Sequence, residues 1–190
     1  MMQGFSSVQR CRIGSPFVIA AMENALAADP QTRVVGYEAN GGFLLGCDAT
    51  APAGPLAPLM TRDCLLPMIA PLADARARGQ TLAQLVSDLP ARFTAADRVA
   101  GVPTEASKAF IARRTQDSAA RAAFFDGIGP EADLDLTDGL RVRFDSGTVV
   151  HLRPSGNAPE CRCYAEASSV QQAETLVATH LARLKAQLAD

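Results

Sequence analysis

The residues best suited to chemistry in this sequence lie in one short segment, 153–159, which reads Arg-Pro-Ser-Gly-Asn-Ala-Pro. Arg153 ends a predicted strand and supplies a planar fork of donors, and Ser155 and Asn157 add side-chain donors. Gly156 lets the backbone turn tightly, so that successive N–H groups can converge on one anion. Together these donors suit a phosphate dianion. The alternative interpretation is an ordinary turn, because Pro, Ser, Gly and Asn are all common in turns.

A second candidate site is the segment 36–43, which contains Glu38 and Asn40. A carboxylate can accept hydrogen bonds from two neighbouring sugar hydroxyls, and an amide can both donate and accept. Gly41 and Gly42 would let a ligand approach the backbone closely. The alternative interpretation is a hairpin loop in which Asn-Gly is chosen for its turn geometry.

The remaining polar motifs favour structural interpretations. Asp133, Asp135 and Asp138 superficially resemble a carboxylate cluster for a hard cation. The spacing instead favours a strand with two solvent-facing carboxylates followed by a turn at 138–139, so no metal site is predicted in this chain. His151 and His180 lack the Ser/Asp or Cys/Asp neighbours that would suggest a catalytic triad.

The 153–159 loop is predicted to join two strands of a small α+β domain over residues 90–190. Strands are predicted at 92–100 and at about 133–144, 147–153 and 160–167. Arg153 is expected to be an exposed loop residue, and Cys161 and Cys163 are expected to share one strand face. The last helix, 169–188, has apolar residues at the i, i+3, i+4, i+7 spacing and should pack on the sheet.

Residues 1–89 have α/β character. Strands are predicted at 5–13 and 32–38, and a helix is predicted to begin after Gly14-Ser15-Pro16. Residues 49–60, rich in Pro, Ala and Gly, are predicted to be a loop before a helix at 64–79. The sheet has too few strands, so we expect a domain whose beginning is missing.

The expected fold class of the whole chain is a partial α/β domain followed by a small α+β domain with a mostly antiparallel sheet packed against helices.

Composition excludes several classes of protein. The chain has 190 residues, a net charge of −2 and 48% hydrophobic residues, which favours a folded protein. No long Lys/Arg run is present, so a nucleic-acid partner is not expected. No stretch of about 18 apolar residues is present, so no membrane span is expected. The five cysteines include no C-x-x-C pair, which favours reduced thiols and a cytoplasmic location.

Four segments resemble the α-D-phosphohexomutases. HLRPSGNAPECRCYAEA resembles the family's phosphate-binding loop, usually Arg-Pro-Ser-Gly-Thr-Glu-Pro, and VGYEANGGFLLG resembles its sugar-binding loop, usually Gly-Glu-x-Ser-Gly. RCRIGSPFVIAAM and TRDCLLPMIAPL resemble the segments on either side of that sugar-binding loop. The motifs occur in the family's order over about residues 8–167, and both loops look most like the bacterial phosphomannomutase branch.

The resemblance implies that residues 1–89 are the C-terminal part of the third, sugar-binding domain and that residues 90–190 are the fourth, phosphate-binding domain. By the same resemblance, the substrate phosphate is bound by Arg153, Ser155, Gly156 and Asn157, and the sugar is bound by Glu38, Asn40 and Ser15. Three residues depart from the usual motifs: Asn40 replaces Ser, Asn157 replaces Thr and Ala158 replaces Glu.

The implied reaction moves a phosphoryl group between O6 and O1 of a hexose through a hexose 1,6-bisphosphate intermediate. In the family, a phosphorylated serine and Mg²⁺ belong to the first two domains, which this sequence does not match, so the chain alone is predicted to be inactive. The alternative is a free-standing phosphosugar-binding module without catalysis. The expected partner is a small-molecule phosphosugar, with the oligomeric state left open.

Overall fold

The computed structural model describes residues 5–38 and 41–188, and the chain divides into two compact units, 1–90 and 91–190. The helices of the first unit are α1 (Ser15–Ala28), α2 (Leu66–Arg78) and α3 (Leu82–Ser87). Its strands are β1 (Val35–Tyr37), β2 (Phe43–Leu45), β3 (Ala49–Ala51), β4 (Gly54–Leu56) and β5 (Leu59–Asp63). The helices of the second unit are α4 (Thr104–Gln116), α5 (Ser118–Phe124) and α6 (Val170–Leu188). Its strands are β6 (Phe93–Ala100), β7 (Glu131–Asp135), β8 (Leu140–Phe144), β9 (Val149–Pro154) and β10 (Glu160–Ala167).

The first unit contains a three-stranded antiparallel sheet in the order β1-β2-β5, with α1 packed on β1 and β5. As predicted, α1 begins beside Pro16, whose fixed φ suits the first helical turn. Val18, Met22 and Leu44 form its small buried core. Gly36 lies under the helix, because a Cβ there would lie 2.4 Å from Val18 Cγ1. This close packing holds the end of β1, and therefore Glu38, against the start of α1.

Two predictions for the first unit are wrong. Residues 5–13 form no strand, and Phe5, Val8 and Ile13 are exposed. They belong to none of the described sheets, so apolar alternation alone is not sufficient to make a strand. Residues 49–60 are not a loop, since they form the hairpin β3–β4 and begin β5. Proline is tolerated in such a short two-stranded ladder, where Pro55 lies opposite Thr50.

The second unit is a five-stranded antiparallel sheet in the order β6-β10-β9-β8-β7. Helix α6 packs on β6 and β10, and α4 packs on β8, β9 and β10. The side chains facing these helices form one apolar core, whose fully buried members include Phe124, Leu140, Val142, Val150, Leu152 and Leu184. The expected fold class, helices with a mostly antiparallel sheet, is confirmed. The predicted strand 133–144 is two strands, because the turn at 138–139 divides it into a hairpin.

Alternation along the strands gives the second sheet two different faces. Cys161 and Cys163 share the helix-packed face, as predicted, and both thiols are buried and reduced. Burial raises the pKa of Cys163 to about 12, so it is an unreactive core residue. The opposite surface, called here the polar face, carries Arg98, Arg141, His151, Arg153, Arg162 and Tyr164. Within the described residues, no helix is long and apolar enough to cross a membrane.

Candidate functional site

The loop 155–159 is closed at its base by the pairing of β9 with β10. Arg153 lies opposite Arg162 in this ladder, and Pro154 lies opposite Cys161. Beyond the last ladder pair, the Ser155 N–H donates to the Glu160 carbonyl oxygen at 2.9 Å. The two strands therefore fix both ends of the loop and leave only its tip to vary.

Arg153 is buried, which corrects the expectation of an exposed loop residue. Only 8% of its surface is accessible, and its Nη1 donates to Asp138 Oδ2 at 3.2 Å. Its Nε–H is also shielded from solvent and has no hydrogen-bond partner among the described residues. The physical reason is that the 138–139 turn lies against β9 and covers the Arg153 side chain. The guanidinium is therefore oriented by the protein and still has an unsatisfied donor.

The three remaining loop residues of the predicted phosphate site differ in exposure. Ser155 is buried, and its Oγ accepts from the Asn157 N–H at 3.4 Å. Gly156 and Asn157 are exposed at the tip. Gly156 does not have a positive φ, and a Cβ there would meet no atom within 4 Å. The chain bends at residues 156–159 without a left-handed φ at Gly156, and glycine at this position leaves the backbone open to close approach.

Glu160, just after the loop, is held by two arginines of the polar face. Arg98 Nε lies 3.0 Å from Glu160 Oε2, and Arg162 Nη2 lies 2.7 Å from Glu160 Oε1. The hydrogen bond to Glu160 is the main cause of a raised pKa for Arg162. This ion-paired group anchors the carboxyl end of the loop. Sequence reasoning missed it, because only the strand register brings Arg98 next to Arg162.

His151 is a structural member of the same face. Its Nε2 lies 2.6 Å from the Asp138 carbonyl oxygen, and its ring centroid lies 5.6 Å from that of Tyr164. Burial is the main cause of its lowered pKa, which keeps the imidazole neutral near pH 7. A neutral His151 can donate from Nε2 to the carbonyl oxygen of Asp138.

The first unit brings together two of the three predicted sugar-binding residues. The Ser15 hydroxyl donates to Glu38 Oε2 at 2.9 Å, and only 6% of the Glu38 side chain is accessible. Gly41 N–H donates to the Glu38 carbonyl oxygen at 3.0 Å, which closes the turn after β1. Asn40, the third predicted residue, lies outside the described residues. Ser15 thus holds the Glu38 carboxylate through Oε2.

Arg62 joins this group although sequence reasoning did not select it. Its Nε lies 3.9 Å from Glu38 Oε2, and its side chain is about half exposed. The side chain also lies over Gly42, since a Cβ there would come within 2.7 Å of Arg62 Nε. Arg62 belongs to the segment TRDCLLPMIAPL, which resembles a family motif. Only the pairing of β2 with β5, however, brings Arg62 beside Glu38.

The acidic residues of the β7–β8 hairpin are engaged in other contacts. Asp133 Oδ2 lies 3.9 Å from Arg143 Nε, and Asp135 Oδ1 accepts from the Thr137 N–H at 3.0 Å. Across the part of the chain that the structure describes, no group of three or more His, Cys, Asp or Glu could hold a metal ion. The described residues therefore do not fit the Mg²⁺ of the family that the motifs resemble.

Comparison with known proteins identifies the family. The profile described as phosphoglucomutase/phosphomannomutase, C-terminal domain, matches residues 86–183, just over half of the chain. The chain therefore belongs to the phosphoglucomutase/phosphomannomutase family, as the resemblance of its motifs predicted.

Three relatives match nearly the whole chain. It is 42% identical over 181 residues to a phosphomannomutase of Sinorhizobium fredii, covering 95% of this chain and 38% of the relative. It is 41% identical over 188 residues to a phosphomannomutase of Salmonella muenchen, covering 97% of this chain and 38% of the relative. A probable phosphoglucosamine mutase of Methanopyrus kandleri is 27% identical over 169 residues, covering 89% of this chain and 31% of the relative. The chain thus spans less than two fifths of the length of these relatives.

Proposed function

We propose that this chain is the phosphosugar-binding part of a phosphomannomutase-like enzyme that interconverts hexose 6-phosphate and hexose 1-phosphate. Residues 1–89 correspond to the C-terminal part of the sugar-binding third domain, and residues 90–190 correspond to the phosphate-binding fourth domain. The family match, the two phosphomannomutase relatives and the two loops support this assignment. The one observation that carries it is Arg153, buried at the base of the loop and still holding an unsatisfied donor.

In this proposal the substrate phosphate lies against the loop of the second unit. Arg153 supplies the charged donor, and the exposed loop tip contributes the Gly156 N–H and the side-chain amide of Asn157. Ser155 supports the tip from inside by accepting the Asn157 N–H. Hydrogen bonds to a phosphate dianion are charge-assisted, so Arg153 is expected to contribute most of the affinity.

The sugar hydroxyls are bound by the first unit. Ser15 holds one oxygen of the Glu38 carboxylate, and Arg62 limits the movement of the same group. A carboxylate held in this way accepts hydrogen bonds from two adjacent hydroxyls, with Asn40 as a further polar partner. Positioning of this kind is the main contribution a binding domain makes to phosphoryl transfer.

In the whole enzyme, the phosphoryl group moves between O6 and O1 through hexose 1,6-bisphosphate. The Mg²⁺ and the phosphorylated serine of the family belong to domains that this chain does not match. This chain then binds the sugar and the phosphate that is not being transferred, and holds them in place for the transfer.

Calorimetric titration with mannose 1-phosphate tests the proposal. Arg153→Ala is expected to weaken binding by roughly 10- to 150-fold, because it removes a charged hydrogen bond of about 1.5–3 kcal/mol. Asn157→Ala should weaken binding less, since it removes a neutral donor. Arg143→Ala is the matched control, because Arg143 is half exposed and pairs with Asp133. If Arg153→Ala and Arg143→Ala bind the ligand as tightly as the parent, the loop is only a turn and the proposal fails.

A further inference from the structure

The turn between β7 and β8 approaches β9 unusually closely. Gly139 has a φ of +94°, and a Cβ there would lie 2.3 Å from the Leu152 carbonyl oxygen. Glycine meets both requirements, because it adopts a positive φ readily and has no Cβ to clash. The preceding residue, Asp138, is thereby brought against β9. The sequence alone suggests only a turn at this point.

Asp138 contacts two side chains of β9 at once. Its Oδ2 accepts from Arg153 Nη1 at 3.2 Å, and its carbonyl oxygen lies 2.6 Å from His151 Nε2. His151 and Arg153 are two residues apart on one strand and lie on the polar face. One residue of the turn therefore contacts both of these side chains.

The contact with Asp138 engages only one part of the Arg153 guanidinium. A guanidinium carries five N–H donors in a fixed fork. Asp138 engages Nη1, whereas Nε–H is shielded from solvent and has no partner among the described residues. A buried donor without a partner is unfavourable, so an oxygen that reaches Nε gains a hydrogen bond that the protein itself does not supply.

We propose that Asp138 is a positioning residue for phosphate binding, holding Arg153 by Nη1 so that its Nε edge meets the phosphate. This inference rests on the proposed function of the 153–157 segment. Asp138 also brings a negative charge near a dianion, which opposes binding. A test must therefore separate the hydrogen bond of Asp138 from its charge.

Two substitutions achieve this separation. Asp138→Asn and Asp138→Ala both remove the charge, but only Asn retains an oxygen that can accept from Nη1. Asp133→Asn and Asp133→Ala are the matched controls on the same hairpin, because Asp133 lies 3.9 Å from Arg143 and is half exposed. Inorganic phosphate and mannose 1-phosphate are titrated into the ¹⁵N-labelled full chain, and the Arg153 Nε–H resonance is followed by NMR.

Asp138→Asn is expected to bind both ligands at least five-fold more tightly than Asp138→Ala, while the two Asp133 variants match the parent. Equal affinities for the two Asp138 variants, both shown to be folded by circular dichroism, would overturn the inference.

The parent chain gives an independent check that does not depend on variant folding. If phosphate shifts the Ser155 and Gly156 amides but leaves the Arg153 Nε–H resonance unmoved, the inference is wrong although the proposed function stands. A parent chain that binds neither ligand would instead overturn the proposed function and the inference with it.

Discussion

Arg153 has a structural role as well as its proposed role in binding. Its side chain is 10% accessible, and its ion pair with Asp138 lies mostly out of solvent. Removing one partner of such a pair leaves the other without its charged hydrogen bond, and this costs more than the pair contributes when intact. Binding and stability must therefore be measured together for any substitution at this position.

Arg153→Ala is expected to lower the free energy of unfolding by about 1–3 kcal/mol, because it leaves the Asp138 carboxylate without this partner and removes buried packing. Arg143→Ala should lower it by less than about 1 kcal/mol, since exposed ion pairs contribute little. Urea unfolding of both variants measures the difference. Equal stability of the two variants would contradict the buried placement of Arg153.

His180 gives the protein a pH-dependent stability. Its ring lies in the core with centroids 5.4 Å from Phe124 and 5.3 Å from Phe125, and its Nδ1–H donates to the Leu176 carbonyl oxygen at 2.6 Å. Burial is the main cause of its lowered pKa. The folded state therefore holds His180 neutral, whereas the unfolded chain takes up a proton near pH 6.5.

The free energy of unfolding should fall as the pH drops below about 6.5, and stop falling once the pH is below the folded-state pKa of His180. His151 contributes in the same direction, because burial lowers its pKa as well. Urea unfolding between pH 8 and pH 5 is expected to show this loss in the parent and a shallower one in His180→Phe. A slope unchanged by the substitution would show that His180 does not titrate between the two states.

At the scale of single residues, residue types predict which chemistry is possible, but they do not predict its geometry. Arg, Ser and Asn in a loop between strands fit a site for an anion, and they also fit an ordinary turn. The burial of Arg153 depends on Asp138, which is 15 residues away in the chain. The turn at Gly139 brings Asp138 against β9. No local sequence pattern predicts the contact between Asp138 and Arg153.

Three neighbouring strands place arginines in one row across the polar face. Arg98 lies opposite Arg162, and Arg162 lies opposite Arg153. Like charges directly opposite each other in a sheet are destabilising, so this register needs compensating carboxylates. Glu160 and Asp138 supply them at the two ends of the row.

Glu160→Ala is expected to lower the free energy of unfolding by about 1–3 kcal/mol, because it leaves two adjacent arginines uncompensated at the base of the loop. Glu166→Ala is the control on the same strand. Glu166 is more exposed and lies 3.5 Å from Arg141, so its removal should cost less than about 1 kcal/mol. Thermal unfolding followed by circular dichroism compares the two. A larger effect for Glu166→Ala would contradict the anchoring role of Glu160.

At the scale of elements, long periodic segments were predictable and short ones were not. The stripe of α6 and the start of α1 follow from local spacing and from Pro16. The segment 5–13 alternates like a strand but forms none, because pairing depends on a neighbour that sequence spacing cannot supply. The hairpin at 49–56 was not predicted, because the prolines of this segment favour a loop and its two strands are only three residues long.

The two units of the molecule have different proposed roles, sugar binding in the first unit and phosphate binding in the second. The first unit presents Ser15, Glu38 and Arg62, and the second presents the 153–157 segment. Family membership and the order of the motifs could be predicted from sequence, because the loop residues themselves carry the resemblance. The division of the chain between residues 90 and 91 is a structural observation, and the domain identities remain part of the proposal.

The purified chain is expected to show no mutase activity with mannose 1-phosphate and Mg²⁺. Its described residues offer no cluster for a metal, and the sequence has no match to the family's phosphoserine loop. A coupled assay of mannose 6-phosphate formation measures this. Turnover above that of a boiled control would contradict the prediction and would indicate a catalytic group within this chain.

The central claim, that the 153–157 segment binds the phosphate of a phosphosugar, is tested most directly by NMR titration of the ¹⁵N-labelled chain. Mannose 1-phosphate and unphosphorylated mannose are added in parallel at equal ionic strength. The account predicts that only the phosphosugar shifts the amides of Ser155, Gly156 and Asn157. Equal shifts with mannose, or shifts confined to other residues of the second unit, would contradict it.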